Sequence, residues 1–121
     1  MQDLIQLRKE IHQHPELSGF EKETAKRVVN FIEPFGPDEI ITNVGGDGIL
    51  IVFNGKEPGK TVLFRAELDA LPIQEINDFS YKSLTEDVSH KCGHDGHATI
   101  LCGLAKKLTS DRPQKGRIIL L

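Results

Sequence analysis

The run His90-Lys91-Cys92-Gly93-His94-Asp95-Gly96-His97 stands directly ahead of a helical pattern of Ala98, Leu101, Leu104, Ala105 and Leu108, and this junction constrains the fold more than any other stretch. Upstream, Thr61-Val62-Leu63-Phe64-Arg65 reads as a strand that runs out onto Glu67 and Asp69. Downstream, Gly116-Arg117-Ile118-Ile119-Leu120-Leu121 reads as a buried strand. Strand, helix and strand in that order imply a right-handed crossover with parallel strands around Phe64 and Ile119. In an open α/β sheet, ligands bind beyond the carboxyl ends of the strands, where loops enter helix amino-termini. Both polar clusters fall at that edge, so Glu67 and Asp69 are expected to meet Cys92, His94, Asp95 and His97 in space.

The rest of the chain supplies the frame. Leu4, Leu7 and Ile11, with Ile5 beside them, recur at helical spacing, so residues 3–13 read as an amphipathic helix ended before His14-Pro15; His12 and His14 are expected to cap or pack near its end. Ser18-Gly19-Phe20-Glu21 has the capping-box pattern and opens a second helix with Ala25, Val28, Val29 and Ile32 on one stripe, closed by Pro34-Phe35-Gly36-Pro37. Residues 39–42 and 49–53 are short β-rich runs around Gly45-Gly46-Asp47-Gly48, which predicts an antiparallel hairpin. After the turn Lys56-Glu57-Pro58-Gly59, the strand 61–65 is expected at the centre of the sheet. Residues 70–93 hold prolines and no sustained period, the mark of a long and often functional loop. The fold class is therefore α/β, a mixed sheet with an antiparallel hairpin and a right-handed β-α-β crossover. Residues 1–121 read as one domain, and a final strand with no turn signal after it makes a truncated chain the expectation.

Composition excludes more than it assigns. Lysine and arginine number 15 against 18 acidic residues, so a formal charge of -3 gives no field for nucleic acid or anionic lipid. No apolar stretch approaches the roughly 20 residues that cross a bilayer, and Met1-Gln2-Asp3-Leu4 lacks the shape of a secretion signal, so a cytoplasmic location is expected. Of the two cysteines, Cys92 stands among histidines, where a reduced metal-binding thiol fits better than a disulfide, and Cys102 lies beside the helical stripe as a small core residue.

Thiolate is a strong ligand for borderline metals, imidazole is its commonest partner, and carboxylates complete the shell or orient the histidines from behind it. Gly93 between Cys92 and His94 permits backbone angles that turn both side chains to one centre. A divalent ion there would activate water and polarise a carbonyl, which is hydrolytic chemistry. A structural zinc knot is the competing reading, but such sites usually draw on paired cysteines, and no second Cys-x-x-Cys exists. Glu67 and Asp69 could equally be a solvated strand end, a reading weakened by their placement against the cysteine-histidine cluster.

Three segments together resemble the M20 metallopeptidase family, in the amidohydrolase branch of hippurate hydrolases and auxin-conjugate hydrolases. They are Leu7-Arg8-Lys9-Glu10-Ile11-His12-Gln13-His14-Pro15-Glu16-Leu17-Ser18, Arg65-Ala66-Glu67-Leu68-Asp69-Ala70-Leu71-Pro72-Ile73 and the run 90–97. The resemblance implies the amino-terminal part of a zinc-peptidase-like catalytic domain, with Cys92 and His94 as metal ligands and the cysteine sulfur shared between two ions (zinc, manganese or nickel). It implies Asp69 as the carboxylate that supports the metal site, and leaves the roles of Asp95 and His97 open. Glu67 departs from the aspartate more often found at its position, and Lys91 stands where a small residue is usual, with a charge able to alter the site mouth. A paired-glutamate motif carrying the general base, further histidine ligands and a dimerisation domain are implied beyond Leu121.

The expectation is a full-length, homo-oligomeric amidohydrolase that cleaves a small N-acylated substrate, such as an N-acyl amino acid, by metal-activated water, with this segment alone inactive. The rival expectation is an inactive remnant that binds a metal or a partner, and a third is a cluster packed as ordinary hydrogen-bonded side chains without metal.

Overall fold

The computed structural model describes residues 1–121. Helices α1 (Gln2–Gln13) and α2 (Lys22–Ile32) come first, then strands β1 (Glu39–Val44), β2 (Gly48–Asn54) and β3 (Glu57–Phe64), helix α3 (His94–Leu108) and strand β4 (Lys115–Leu120). No helix is long and apolar enough to cross a membrane.

The four strands form one mixed sheet in the order β1-β2-β4-β3. The hairpin is antiparallel, with Ile40 opposite Ile51 and Thr42 opposite Ile49. The crossover joins parallel strands, with Leu63 opposite Ile119 and Phe64 opposite Leu120, as the strand-helix-strand pattern predicts. The period of two then sorts the side chains. Ile49, Ile51 and Phe53 of β2 and Leu120 of β4 face one way, into a core closed by Leu7 and Ile11 of α1, Val28 and Ile32 of α2, and Cys102, Ala105 and Leu108 of α3. Phe53, Ile11 and Ile32 are almost wholly enclosed, and each such side chain contributes about 1.5–3 kcal/mol of burial.

One expectation of position is corrected. The third strand is an edge strand, and the last strand, β4, takes the centre between β2 and β3. Val62, Leu63 and Phe64 keep 48%, 50% and 42% exposure, so the helical layer stops short of this edge. An apolar run on both faces signals burial on both faces, and here β3 has a neighbour on one side only.

The second helix also opens differently from its capping-box pattern. Ser18 and Glu21 make no side-chain cap. Instead Glu16 reaches forward, its Oε1 accepting from the Glu23 N–H at 3.2 Å and its Oε2 from the Thr24 N–H at 2.6 Å and hydroxyl at 2.7 Å. A carboxylate there serves better than a hydroxyl, because it satisfies two free amides and places negative charge at the positive helix end.

Where β3 meets β4, Gly116 is demanded by space. It has φ +79°, and a Cβ on it would lie 2.0 Å from the Lys60 carbonyl oxygen. The tight approach accompanies a shift in the β3–β4 register between Glu57 and Thr61.

Candidate metal centre

Strand β3 delivers Glu67 and Asp69 just past its carboxyl end, and the long loop delivers residues 90–97 to the same place. Two bridges fix the loop: Leu71 and Ser89 exchange both backbone hydrogen bonds at 3.0 Å, and the buried Ser89 hydroxyl donates to the Ile73 carbonyl at 2.6 Å. The two clusters separated in sequence therefore meet.

Gly93 makes the turn between them. It adopts φ 87°, ψ 9° as the residue preceding α3, a left-handed conformation that costs glycine little and other residues more. With the chain bent this way, the Cys92 thiol faces the Asp69 carbonyl oxygen at 3.7 Å, and His94 Nδ1 donates to that same carbonyl at 3.0 Å. The two side chains flanking Gly93 thus converge on one point.

His94 Nδ1 also donates to Asp69 Oδ1 at 2.9 Å. With Nδ1 donating there, Nε2 is the ring nitrogen left to offer a lone pair, on the other side. Facing that lone pair, Glu67 Oε2 stands at 3.9 Å, too far for a hydrogen bond. His97, one turn further along α3, completes a set: Glu67, His94 and His97 each offer a ligand atom within 4.8 Å of the others. Two imidazoles and a carboxylate thus converge, with the Arg65 guanidinium 3.5 Å from Glu67 Oε1, while the Asp69 carboxylate holds the inner histidine from behind. This donor set fits a divalent cation. Cys92 lies outside this trio, although its sulfur shares the Asp69 carbonyl with His94.

Behind the trio lies a buried polar network that the pattern of residues left unseen. Asp95, in the first turn of α3, is fully enclosed, and its Oδ2 takes the Arg8 guanidinium at 2.9 Å and His12 Nδ1 at 2.8 Å. His12 Nε2 meets Glu75 Oε1 at 3.0 Å. Glu75 in turn accepts from the Ser83 N–H at 2.6 Å and the Asn77 amide at 2.9 Å, with the Lys91 ammonium 3.5 Å away. Burial alone would raise the Glu75 carboxyl, but the Ser83 amide, His12 and Asn77 outweigh it and hold it at about 2. Lys91 thus has its ammonium beside the network. His12 does more than pack near the helix end as expected. His14, by contrast, is exposed and donates back to the Glu10 carbonyl at 2.9 Å. Arg8 and His12 stand four residues apart on one face of α1, the one signal that could have disclosed the network.

His90 is buried with neither ring nitrogen partnered. Burial lowers its imidazole to about 4, against the pull of the Asp95 carboxylate. Cys102 is enclosed in the core, as expected, and burial pushes its thiol up to about 12.

Known proteins resemble the chain in sequence and in fold. No family model matches the chain. The chain is 42% identical over 104 residues to an N-acyl-L-amino acid amidohydrolase of Geobacillus stearothermophilus, covering 86% of this chain and 28% of that protein. It is 42% identical over 104 residues to a hippurate hydrolase of Campylobacter jejuni, covering 86% and 27%. Among solved structures, a Bacillus subtilis protein described as a dinuclear metal-binding peptidase from the M20 family matches with a TM-score of 0.92 at 34% identity, over 98% of this chain and 33% of that one. The chain thus spans under a third of the length of these curated relatives.

Proposed function

The chain belongs to the M20 family of amidohydrolases and peptidases, and from that premise we propose that the complete protein hydrolyses an N-acyl amide, such as an N-acylated amino acid. The observation that carries the reading is His94: its Nδ1 is fixed by Asp69 at 2.9 Å while Nε2 faces Glu67 and His97. The names of two relatives, one an N-acyl-L-amino acid amidohydrolase and one a hippurate hydrolase, support the substrate class.

In this reading Cys92 and His94 would hold the metal. Glu67 and His97 would add oxygen and nitrogen ligands from the strand end and the first turn of α3. Thiolate with imidazole favours zinc, while manganese or nickel would serve a shell richer in carboxylate. A divalent ion supplies two things when bound, a water of lowered pKa and polarisation of the substrate carbonyl.

The chain's own residues prepare that site. Asp69 holds the Nδ1 proton and so fixes the tautomer and the direction of the Nε2 lone pair. Gly93 sets the angle between Cys92 and His94. Glu75 holds the Lys91 ammonium 3.5 Å from its own carboxylate. The family resemblance implies that the general base is a glutamate outside residues 1–121; within the chain Asp69 contacts His94, and the buried Asp95 and Glu75 contact His12. The 121-residue chain by itself is accordingly expected to bind without turnover. We also propose a homo-oligomeric complete protein located in the cytoplasm.

The test is an assay of the complete protein on N-acetyl and N-benzoyl amino acids and on unacylated dipeptides, before and after chelation and with metal restored. The expected result is release of the free amino acid from the acylated substrates, abolished by chelation and recovered with metal. Hydrolysis of dipeptides alone, or hydrolysis indifferent to chelation, would overturn the reading.

A further inference from the structure

Helix α1 contributes a histidine to the interior that no step above uses. His12 is 5% exposed, and its ring lies 5.8 Å from those of both Phe79 and Tyr81. Its two nitrogens meet carboxylate oxygens of two different elements, Asp95 in α3 at 2.8 Å and Glu75 in the long loop at 3.0 Å. Both ring nitrogens are thus engaged at hydrogen-bond distance, one to each element. Asp95 is the immediate neighbour of His94 and shares the first turn of α3 with His97. Glu75 is where the loop is gathered, through the Ser83 amide and the Asn77 side chain.

We propose that His12 is a positioning residue for the metal-binding turn: by tying α1 to Asp95 on one side and to Glu75 on the other, it sets the rotation of the first turn of α3 and so aims His94 and His97. The inference rests on the reading above that His94 binds metal. The Asp95 partners are unequal, which is why the burden falls on His12. Arg8 is the other partner of Asp95 Oδ2 and has a side chain 41% exposed, whereas His12 is enclosed and grips both anchors. Asp95 Oδ1 is buried with no partner, so the carboxylate is held through Oδ2 alone, by His12 and the half-exposed Arg8. Supports of this kind, acting one layer behind a metal ligand, typically change metal affinity 10–100-fold.

The experiment compares the 121-residue chain with His12→Gln, with Glu75→Gln, and with Ile32→Val, a core change in α2 away from the network. Glutamine keeps a donor for one carboxylate and loses the other. Three readings are taken: the unfolding midpoint, the side-chain NMR signals of His94 and His97 in the metal-free chain, and Co(II) affinity from the thiolate absorption band. His12→Gln is expected to shift or broaden the His94 and His97 signals and to weaken Co(II) binding about 10–100-fold. Ile32→Val is expected to lower the midpoint while leaving both other readings in place. Should His12→Gln not fold, Glu75→Gln carries the same comparison with one anchor cut. The proposal is overturned if His12→Gln leaves the histidine signals and the affinity unchanged, or if Ile32→Val moves them equally. Failure of the parent chain to bind Co(II) would count against the metal assignment, and the metal-free NMR comparison would then decide the positioning role alone.

Discussion

Replacing Asp69 separates the two things it does for His94. In the native chain His94 Nδ1 has two acceptors on the same residue, the carboxylate Oδ1 at 2.9 Å and the backbone carbonyl at 3.0 Å. Asp69→Asn leaves the carbonyl and an amide oxygen able to accept, so the ring keeps its direction and loses only the neighbouring negative charge. The expected cost is the small end of the range for such supports, about 10-fold in metal affinity or ~1.4 kcal/mol. Asp69→Ala leaves the carbonyl alone to hold the ring, and the cost is expected near the upper end, about 100-fold or ~2.8 kcal/mol. Fold stability should change by less than ~1 kcal/mol, because this pair is partly open to solvent. Competition of each variant with a chromophoric chelator for zinc gives the affinity, and urea unfolding of the metal-free chain gives the stability. An Asp69→Ala chain that binds zinc as tightly as the parent would refute the reasoning, as would equal losses in metal affinity and in stability.

Gly116→Ala should destabilise by about 2 kcal/mol or more, since it places a Cβ 2.0 Å from the Lys60 carbonyl at φ +79°; thermal melting checks it, and a wild-type midpoint would count against the assigned register. Glu75 has a folded-state carboxyl held near 2, below the ordinary 4.5, so its contribution to stability is full above pH 4.5 and is lost as the pH falls through about 2. The difference in unfolding free energy between the parent and Glu75→Gln should therefore shrink across that window. Thiol labelling of the folded, metal-free chain should modify the half-buried Cys92 alone, with Cys102 reacting only on unfolding, because burial both encloses its thiol and raises it to about 12.

What was legible in the sequence divides by the range over which the cause acts. The alternation of Ile49, Ile51 and Phe53 and the β-branched run at Ile118 and Ile119 carry their period locally, and the strands formed there. Order along the chain gave the parallel pairing of Phe64 with Leu120, because crossover geometry depends only on the sequence of elements. The meeting of Glu67 and Asp69 with the run 90–97 followed from the same rule. Lateral order in the sheet did not follow: which strand lies at the edge depends on what packs beside it, and Val62, Leu63 and Phe64 read as a central strand while lying exposed. The cap of α2 was misplaced for a related reason. Ser18 matches a local pattern, but the loop brings the longer Glu16 side chain to the same amides. His12, Asp95 and Glu75 were missed because their partners lie 83 and 63 residues away, and Glu75 sits in a loop with no period to reveal its orientation.

The central claim is that Cys92 and His94 hold a metal at the carboxyl edge of the sheet. X-ray absorption of the zinc-loaded chain tests it most directly, because sulfur and nitrogen or oxygen neighbours scatter at different distances. The account predicts one sulfur neighbour at about 2.3 Å together with nitrogen or oxygen near 2.0–2.1 Å, the sulfur disappearing in Cys92→Ala and one nitrogen in His94→Ala. A bound zinc with no sulfur neighbour, or a spectrum unchanged by either substitution, would contradict it.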